Sequence, residues 1–286
     1  MDAREYILSK QELWAKNRGI ALIGSQGERG RRLYTPTLNE NLFEPLEKET
    51  EAVFLEGNGL ELMGNPAKMQ ALHSSSALAV NFFQFWQKRK LAPVIAAACG
   101  LCRKGNTTSQ SITFEEKFPI HPKLTTPPNL DVVIHNEEDN SYKVFAIECK
   151  FSETYGNRKD GHGLREQYLQ LEEIWSGIPH LLEFAQSLSP EDTVFQYLHP
   201  AQLVKHILGL KHAFGKKGFR LLYLWYDVPG EAGYFHRREE EQVSQICKED
   251  GILFHAKSYQ EVIMSLAKEE GGEIDRFLSY ISTRYL

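Results

Sequence analysis

The chain has 286 residues, 42% hydrophobic and 25% charged, with a formal net charge of -5. These proportions exclude a disulfide-stapled mini-protein, a collagen-like chain and a disordered one, and the length suffices for a large core. The longest apolar run, Pro93 to Cys102, falls far short of the ~20 residues a membrane span needs. Met1 to Tyr6 lacks a signal-peptide layout, and the four cysteines fit a reducing compartment, so the expected location is cytoplasmic. The acidic balance neither supports nor excludes a nucleic-acid substrate. Local basic groups such as Arg29, Arg31 and Arg32, Arg158 and Lys159, or Lys216 and Lys217 read by default as solvated faces.

Taken in chain order, Tyr6 to Arg18 can form an amphipathic helix, and Gly24 to Arg32 reads as loop. Ser74, Ser75 and Ser76 offer N-caps to a helix whose face is Leu78, Phe82, Phe85 and Trp86, ending near Lys88-Arg89-Lys90. Three strands follow, Ile112 to Phe118, Leu130 to His135 and Lys143 to Phe151, and then a loop over 152–163. Leu164, Tyr168, Leu171 and Trp175 mark a helix face, and Ser189-Pro190-Glu191-Asp192 has the signature of a helix start. Pro200 begins a helix with the stripe Leu203, Ile207 and Leu210, and Phe219 to Tyr226 reads as a buried central strand. A charged helix over 236–249, a short strand Ile252 to His255 and a terminal helix complete the chain. That order predicts an α/β layered fold.

The chemistry concentrates in the second and third strands. Between them, Asn136 to Lys143 suits a tight turn, and a turn centred on Asp139-Asn140 pairs Val133 with Ala146 and Asp131 with Glu148. Directly opposed residues share a face, and period-two alternation brings Lys150 to the same face while Cys149 points away. Two adjacent carboxylates repel unless one is protonated or a cation lies between them. Mg²⁺ suits such a pair, since it takes one or two carboxylates and completes its shell with water and phosphate oxygens. A blander reading makes Glu148 and Lys150 a surface ion pair. Against it stand Leu130, Val132, Val133 and Ile134 with Phe145, Ile147 and Phe151, which flank the charges on both faces.

The pattern Pro128-Asn129-Leu130-Asp131, sixteen residues, then Glu148-Cys149-Lys150 resembles the PD-(D/E)XK, or restriction-endonuclease-like, nuclease superfamily. The proline–aspartate element departs from the usual form, because Asn129 and Leu130 separate its two residues. Tyr34 to Phe43 and Lys68 to Trp86 extend the resemblance to uncharacterised bacterial members. It implies a core of helix, three-stranded antiparallel meander, helix and fourth strand. It also implies phosphodiester cleavage with Mg²⁺ or Mn²⁺ held by Asp131, Glu148 and the Cys149 carbonyl, and Lys150 beside the attacking water. On this reading residues 1–286 form a single domain: an N-terminal elaboration (1–72), a core (73–258) with a helical insertion (163–199), and a C-terminal helix (259–286).

Many members add an acid from the first strand or helix. Glu115 and Glu116 are available, alternation lets at most one join the site, and the resemblance favours Glu115. A Gln or basic residue on a following helix is also common in the family. Gln202 and His206, four apart on one helical face, fit that role, and Gln167 competes. Cys99-Gly100-Leu101-Cys102 supplies two of the four ligands a zinc or iron–sulfur site needs, and reads as structural. The expected function is therefore a metal-dependent nuclease acting on nucleic acid, with DNA the expected substrate. The alternatives are a catalytically silent nuclease-like module that binds nucleic acid or a protein, and a structural metal site. A homodimer would suit cleavage of both strands of a duplex, but no residue pattern requires one.

Overall fold

The computed structural model describes residues 2–24, 31–57, 59–156, 163–269 and 271–286. Helix α1 (Ala3–Asn17) starts the chain, with the Asp2 side chain accepting from the Glu5 amide as N-cap. Strands β1 (Ile23–Gly24) and β2 (Arg32–Tyr34) then pair antiparallel; the loop predicted between them lies largely outside the described residues. Helices α2 (Leu38–Asn41) and α3 (Lys48–Glu56) complete the N-terminal region. Helix α4 (Ser75–Lys88) starts where the serines predict, and Ser74 Oγ accepts from the Ala77 amide. Helix α5 (Ala92–Ala98), with proline in its first turn, follows.

Strands β3 (Ser109–Lys117), β4 (Asn129–Asn136) and β5 (Val144–Lys150) form an antiparallel meander. Short helices α6 (Glu166–Leu169) and α7 (Pro179–Ser187) then lead to α8 (Pro200–Phe214). Strand β6 (Phe219–Trp225) joins β5 in parallel. Helix α9 (Glu231–Glu249) leads to strand β7 (Phe254–Ser258), parallel to β6, and helices α10 (Tyr259–Leu266) and α11 (Gly272–Tyr285) end the chain. The fold is thus α/β around a five-stranded mixed sheet of order β3-β4-β5-β6-β7. Among the described residues, no helix is long and apolar enough to cross a membrane.

The β4–β5 register is the predicted one, with Val133 opposite Ala146 and Ile134 opposite Phe145. The turn differs in detail. The Asn140 amide donates to the Glu137 carbonyl, so the turn centres on Glu138-Asp139, and the last backbone bond before it runs from Asn136 to Lys143. The loop midpoint still falls between 139 and 140, which preserves the register.

The insertion departs further from expectation. The helix predicted through Leu164, Tyr168, Leu171 and Trp175 is instead α6 and a 3₁₀ turn (Glu172–Trp175), with α7 following a left-handed Gly177. Ser189-Pro190-Glu191-Asp192 starts no helix. Asp192 accepts from the Val194 and Phe195 amides, and the Gln196, Tyr197 and Leu198 amides all donate to Glu239 on α9. A distant carboxylate therefore satisfies the donors that a helix would have used. The single terminal helix is likewise two, divided near Gly271 and Gly272.

Asp250 beyond α9 caps α7: its buried carboxylate accepts from the His180 and Leu181 amides and lies 2.9 Å from His180 Nδ1. The hydrogen bond to Asp250 raises the His180 pKa above its ordinary 6.5. The corresponding stability is fully present below 6.5 and fades as pH rises through the raised value. Melting temperatures measured from roughly pH 5 to 9 are expected to show this loss in the wild type and not in His180→Gln.

Candidate functional site

The site forms at the end of the β4–β5 hairpin remote from its turn. Asp131 and Glu148 each lie one residue beyond the last ladder pair, Val132 with Ile147, and the same register sets them opposite. The Asp131 side chain substitutes for backbone pairing here, since the Cys149 N–H donates to its Oδ2 at 2.6 Å. On the other side of β5, Glu148 registers with Tyr223 and Lys150 with Trp225. The sheet thus aligns Asp131 with Glu148 and leaves Lys150 two residues farther along the same strand.

Helix α8 closes over these groups. Lys150 Nζ donates to Gln202 Oε1 at 3.0 Å and lies 2.7 Å from Glu148 Oε1, while His206 Nε2 lies 2.9 Å from Glu148 Oε2. Gln202 and His206 reach the site together because four residues of helix return a side chain to the same face. Gly209 permits the approach of α8: a Cβ there would stand 2.5 Å from the Phe118 carbonyl and 3.1 Å from Pro128. Gln167 is exposed on α6 and lines a neighbouring cleft.

Glu115 also reaches the cluster. Phe114 pairs with Val132 and Glu116 with Leu130, so Glu115 stands in register with Asp131, although its φ of 53° breaks the regular strand. Its carboxylate accepts from Asn129 Nδ2. Glu116 instead engages Thr113 Oγ1 at 2.7 Å and His135 Nε2 at 2.8 Å. Two further acids carried no sequence signal. Glu61, from the segment after α3, adds its charge near Glu115. Glu153 accepts from the Phe151 amide, and its charge acts on Lys150. Glu61 lies in a turn and Glu153 opens a one-turn 3₁₀ helix (Glu153–Tyr155), both too short to carry a periodicity that could have marked them.

Crowding of acids separates their proton affinities. Burial, reinforced by Glu148, raises Asp131 well above the usual aspartate range. Burial works in the same direction on Glu148, but Lys150 and His206 outweigh it and hold this carboxyl down at about 2. Burial together with the Glu61 and Glu148 charges pushes Glu115 up to about 7, despite the opposing Asn129 bond. Lys150 is desolvated, yet Glu148, Glu153 and Asp131 keep its pKa above the ordinary lysine value. Lys150 is therefore a cation at neutral pH.

The donor set fits a hard divalent cation. Glu148 is 1% exposed, and neither of its oxygens receives a well-directed hydrogen bond, because Lys150 and His206 approach at ion-pair distance without alignment. Asp131 accepts the Cys149 amide through Oδ2. Among the described residues, no three His, Cys, Asp or Glu side chains by themselves frame a metal. Two carboxylates supplemented by carbonyl and water oxygens are what Mg²⁺ takes, unlike Zn²⁺, which favours four nitrogen or sulfur ligands. The four cysteines are free thiols. The loop holding Cys99 and Cys102 is tied by its carbonyls, with Lys257 donating to Ala98 and Arg220 to Leu101.

Against protein-family models, residues 8–286 match REase-ARP, described as restriction endonuclease associating with ARP. No curated protein and no solved structure shows significant similarity to the chain.

Proposed function

Because the chain belongs to the family of restriction endonucleases associating with ARP, we propose that it is a metal-dependent nuclease of the PD-(D/E)XK type that hydrolyses phosphodiester bonds of DNA. The observation that carries this reading is the hairpin register, which sets Asp131 against Glu148 with Lys150 alongside. The element order supports it as well: α4, the meander β3–β5, α8 and parallel β6 follow the sequence of that superfamily's core. Asp131, Glu148 and the Cys149 carbonyl would hold Mg²⁺ or Mn²⁺. When bound, such an ion supplies Lewis-acid stabilisation of charge on the phosphate and makes water a stronger acid.

The chain's own groups do the rest. Lys150, clamped between Glu148 and Gln202, is a fixed cation. It orients the attacking water and offsets charge growing on the phosphate, rather than removing a proton as a neutral amine. Gln202 fixes the lysine rotamer, and His206 lies against Glu148 Oε2. Glu115, with a pKa near 7, can accept a proton at neutral pH, as a general base must.

The test is incubation with plasmid, linear duplex, single-stranded DNA and RNA in Mg²⁺, Mn²⁺ or EDTA. Cleavage of a DNA substrate with either metal and none in EDTA is expected. Cleavage of RNA alone would reassign the substrate. A folded protein that binds DNA and cuts nothing under any condition would favour the silent module.

A further inference from the structure

A cleft of about 490 Å³ lies between the segment before β4 and the start of α8. Its walls come from the segment before β4, the segment after β5 and the first turns of α8. Lys123, Arg165, Lys205 and His199 line it, with Tyr168 and Pro128 among its apolar surfaces. No Asp or Glu stands among its described lining residues, in a protein whose net charge is -5. The cleft shares no lining residue with the site, but its wall adjoins the site at two points. Pro128 immediately precedes Asn129, which touches Glu115, and Lys205 lies on α8 between Gln202 and His206. Burial and the neighbouring Arg165 lower the Lys205 pKa, while Glu148 counters them.

This arrangement answers an electrostatic problem. Glu61, Glu115, Asp131 and Glu148 repel a polyanion, so a nucleic-acid strand needs local cations to bring its phosphates against them. Three cations on one side of the cluster, in a cavity within the size range of small-molecule pockets, meet that need. We propose that the cleft seats one nucleotide of the substrate strand next to the scissile bond, its phosphate gripped by Lys123, Arg165 and Lys205. Tyr168 and the proline surfaces offer the sugar and base an apolar wall. The inference rests on the nuclease reading for the identity of the strand, but its test is independent of cleavage.

The test measures binding of a fluorescent oligonucleotide, single- and double-stranded, by anisotropy in a Glu148→Gln background across a salt series. Each lost phosphate contact lowers the log–log salt slope by about 0.7 on single strands and about 0.9 on duplex. The double variant Lys123→Gln/Arg165→Gln changes two exposed side chains. It is expected to lower the slope by about 1.4–1.8 and to weaken binding roughly 20–60-fold near 0.1 M salt. Lys205→Met adds a third, smaller-scale test of the same prediction. Arg238→Gln/Lys248→Gln on α9, outside the cleft, is expected to leave both quantities unchanged.

Unchanged slope and affinity in the cleft variants, with an active wild type, would overturn the proposal and leave the nuclease reading intact. A cleft-dependent slope with an inert wild type would sustain the cleft as a nucleic-acid seat and count against the nuclease. Loss of inorganic phosphate or mononucleotide binding with oligonucleotide binding unaffected would also overturn it, assigning the cleft to a free small anion.

Discussion

Asp131→Asn is expected to raise the melting temperature of the metal-free protein while sharply slowing cleavage. Burial and the adjacent Glu148 raise the Asp131 pKa in the folded chain, so its ionised form is disfavoured there. An asparagine keeps an oxygen for the Cys149 amide and removes the like-charge contact. Relief of this kind at a functional position is worth about 1 kcal/mol, or roughly 2–4 °C for a chain of this size. The sign with pH follows from linkage. The folded pKa lies above the unfolded 3.8, so the native state binds the proton more tightly, and wild-type stability falls as pH climbs from 3.8 towards the raised value. The advantage of the variant therefore grows over that interval. Cleavage should fall about 10²–10⁴-fold, the range for losing a principal electrostatic or acid–base group. Thermal melts and initial rates on the same preparation check both signs, and a variant that loses stability would count against the crowding described above.

The second large effect lies far from the chemistry. Arg284 on α11 is 1% exposed. Its guanidinium donates to Gln11 Oε1, to the Asn41 carbonyl and Oδ1, and to the Tyr280 hydroxyl, and stacks over Trp14 at 4.0 Å. The fork thereby joins α1, α2 and α11, and Asn41 in turn donates to the Met69 and Ala71 carbonyls just ahead of α4. Arg284→Ala would strand several buried acceptors and open a cavity, at a cost of about 3–5 kcal/mol. A drop in melting temperature on the order of 10 °C is expected. Arg284→Lys keeps the charge but not the planar fork, and should recover only part of the loss. Denaturant melts of the two variants measure this; a shift within a degree of wild type would show that the buried fork carries no such weight.

The hairpin was legible because register depends on little besides the turn midpoint and the alternation of apolar residues, both visible between Leu130 and Phe151. Once the register holds, Asp131, Glu148 and Lys150 must meet. Gln202 and His206 were legible for a similar reason, since helical spacing aligns them and a helix leading into β6 has to cross the sheet. Glu61 and Glu153 were not legible, because a turn and a single 3₁₀ turn carry them and only tertiary folding brings them in. Ser189-Pro190-Glu191-Asp192 misled because its cap chemistry is genuine, while Glu239, more than forty residues on, takes the amides that follow. Glu115 lies between these cases. Alternation identifies its row, but its left-handed backbone directs the side chain in a way that period two does not predict.

The most direct test of the central claim compares wild type with Glu148→Gln, an isosteric change at the carboxylate that lies between Asp131 and Lys150. Initial rates of Mg²⁺-dependent DNA cleavage would be measured on both, with melting temperatures confirming that both are folded. The account predicts cleavage by the wild type and a loss of about 10²–10⁴-fold in the variant. Equal, metal-dependent cleavage by a folded Glu148→Gln protein would contradict it and move the chemistry away from the hairpin.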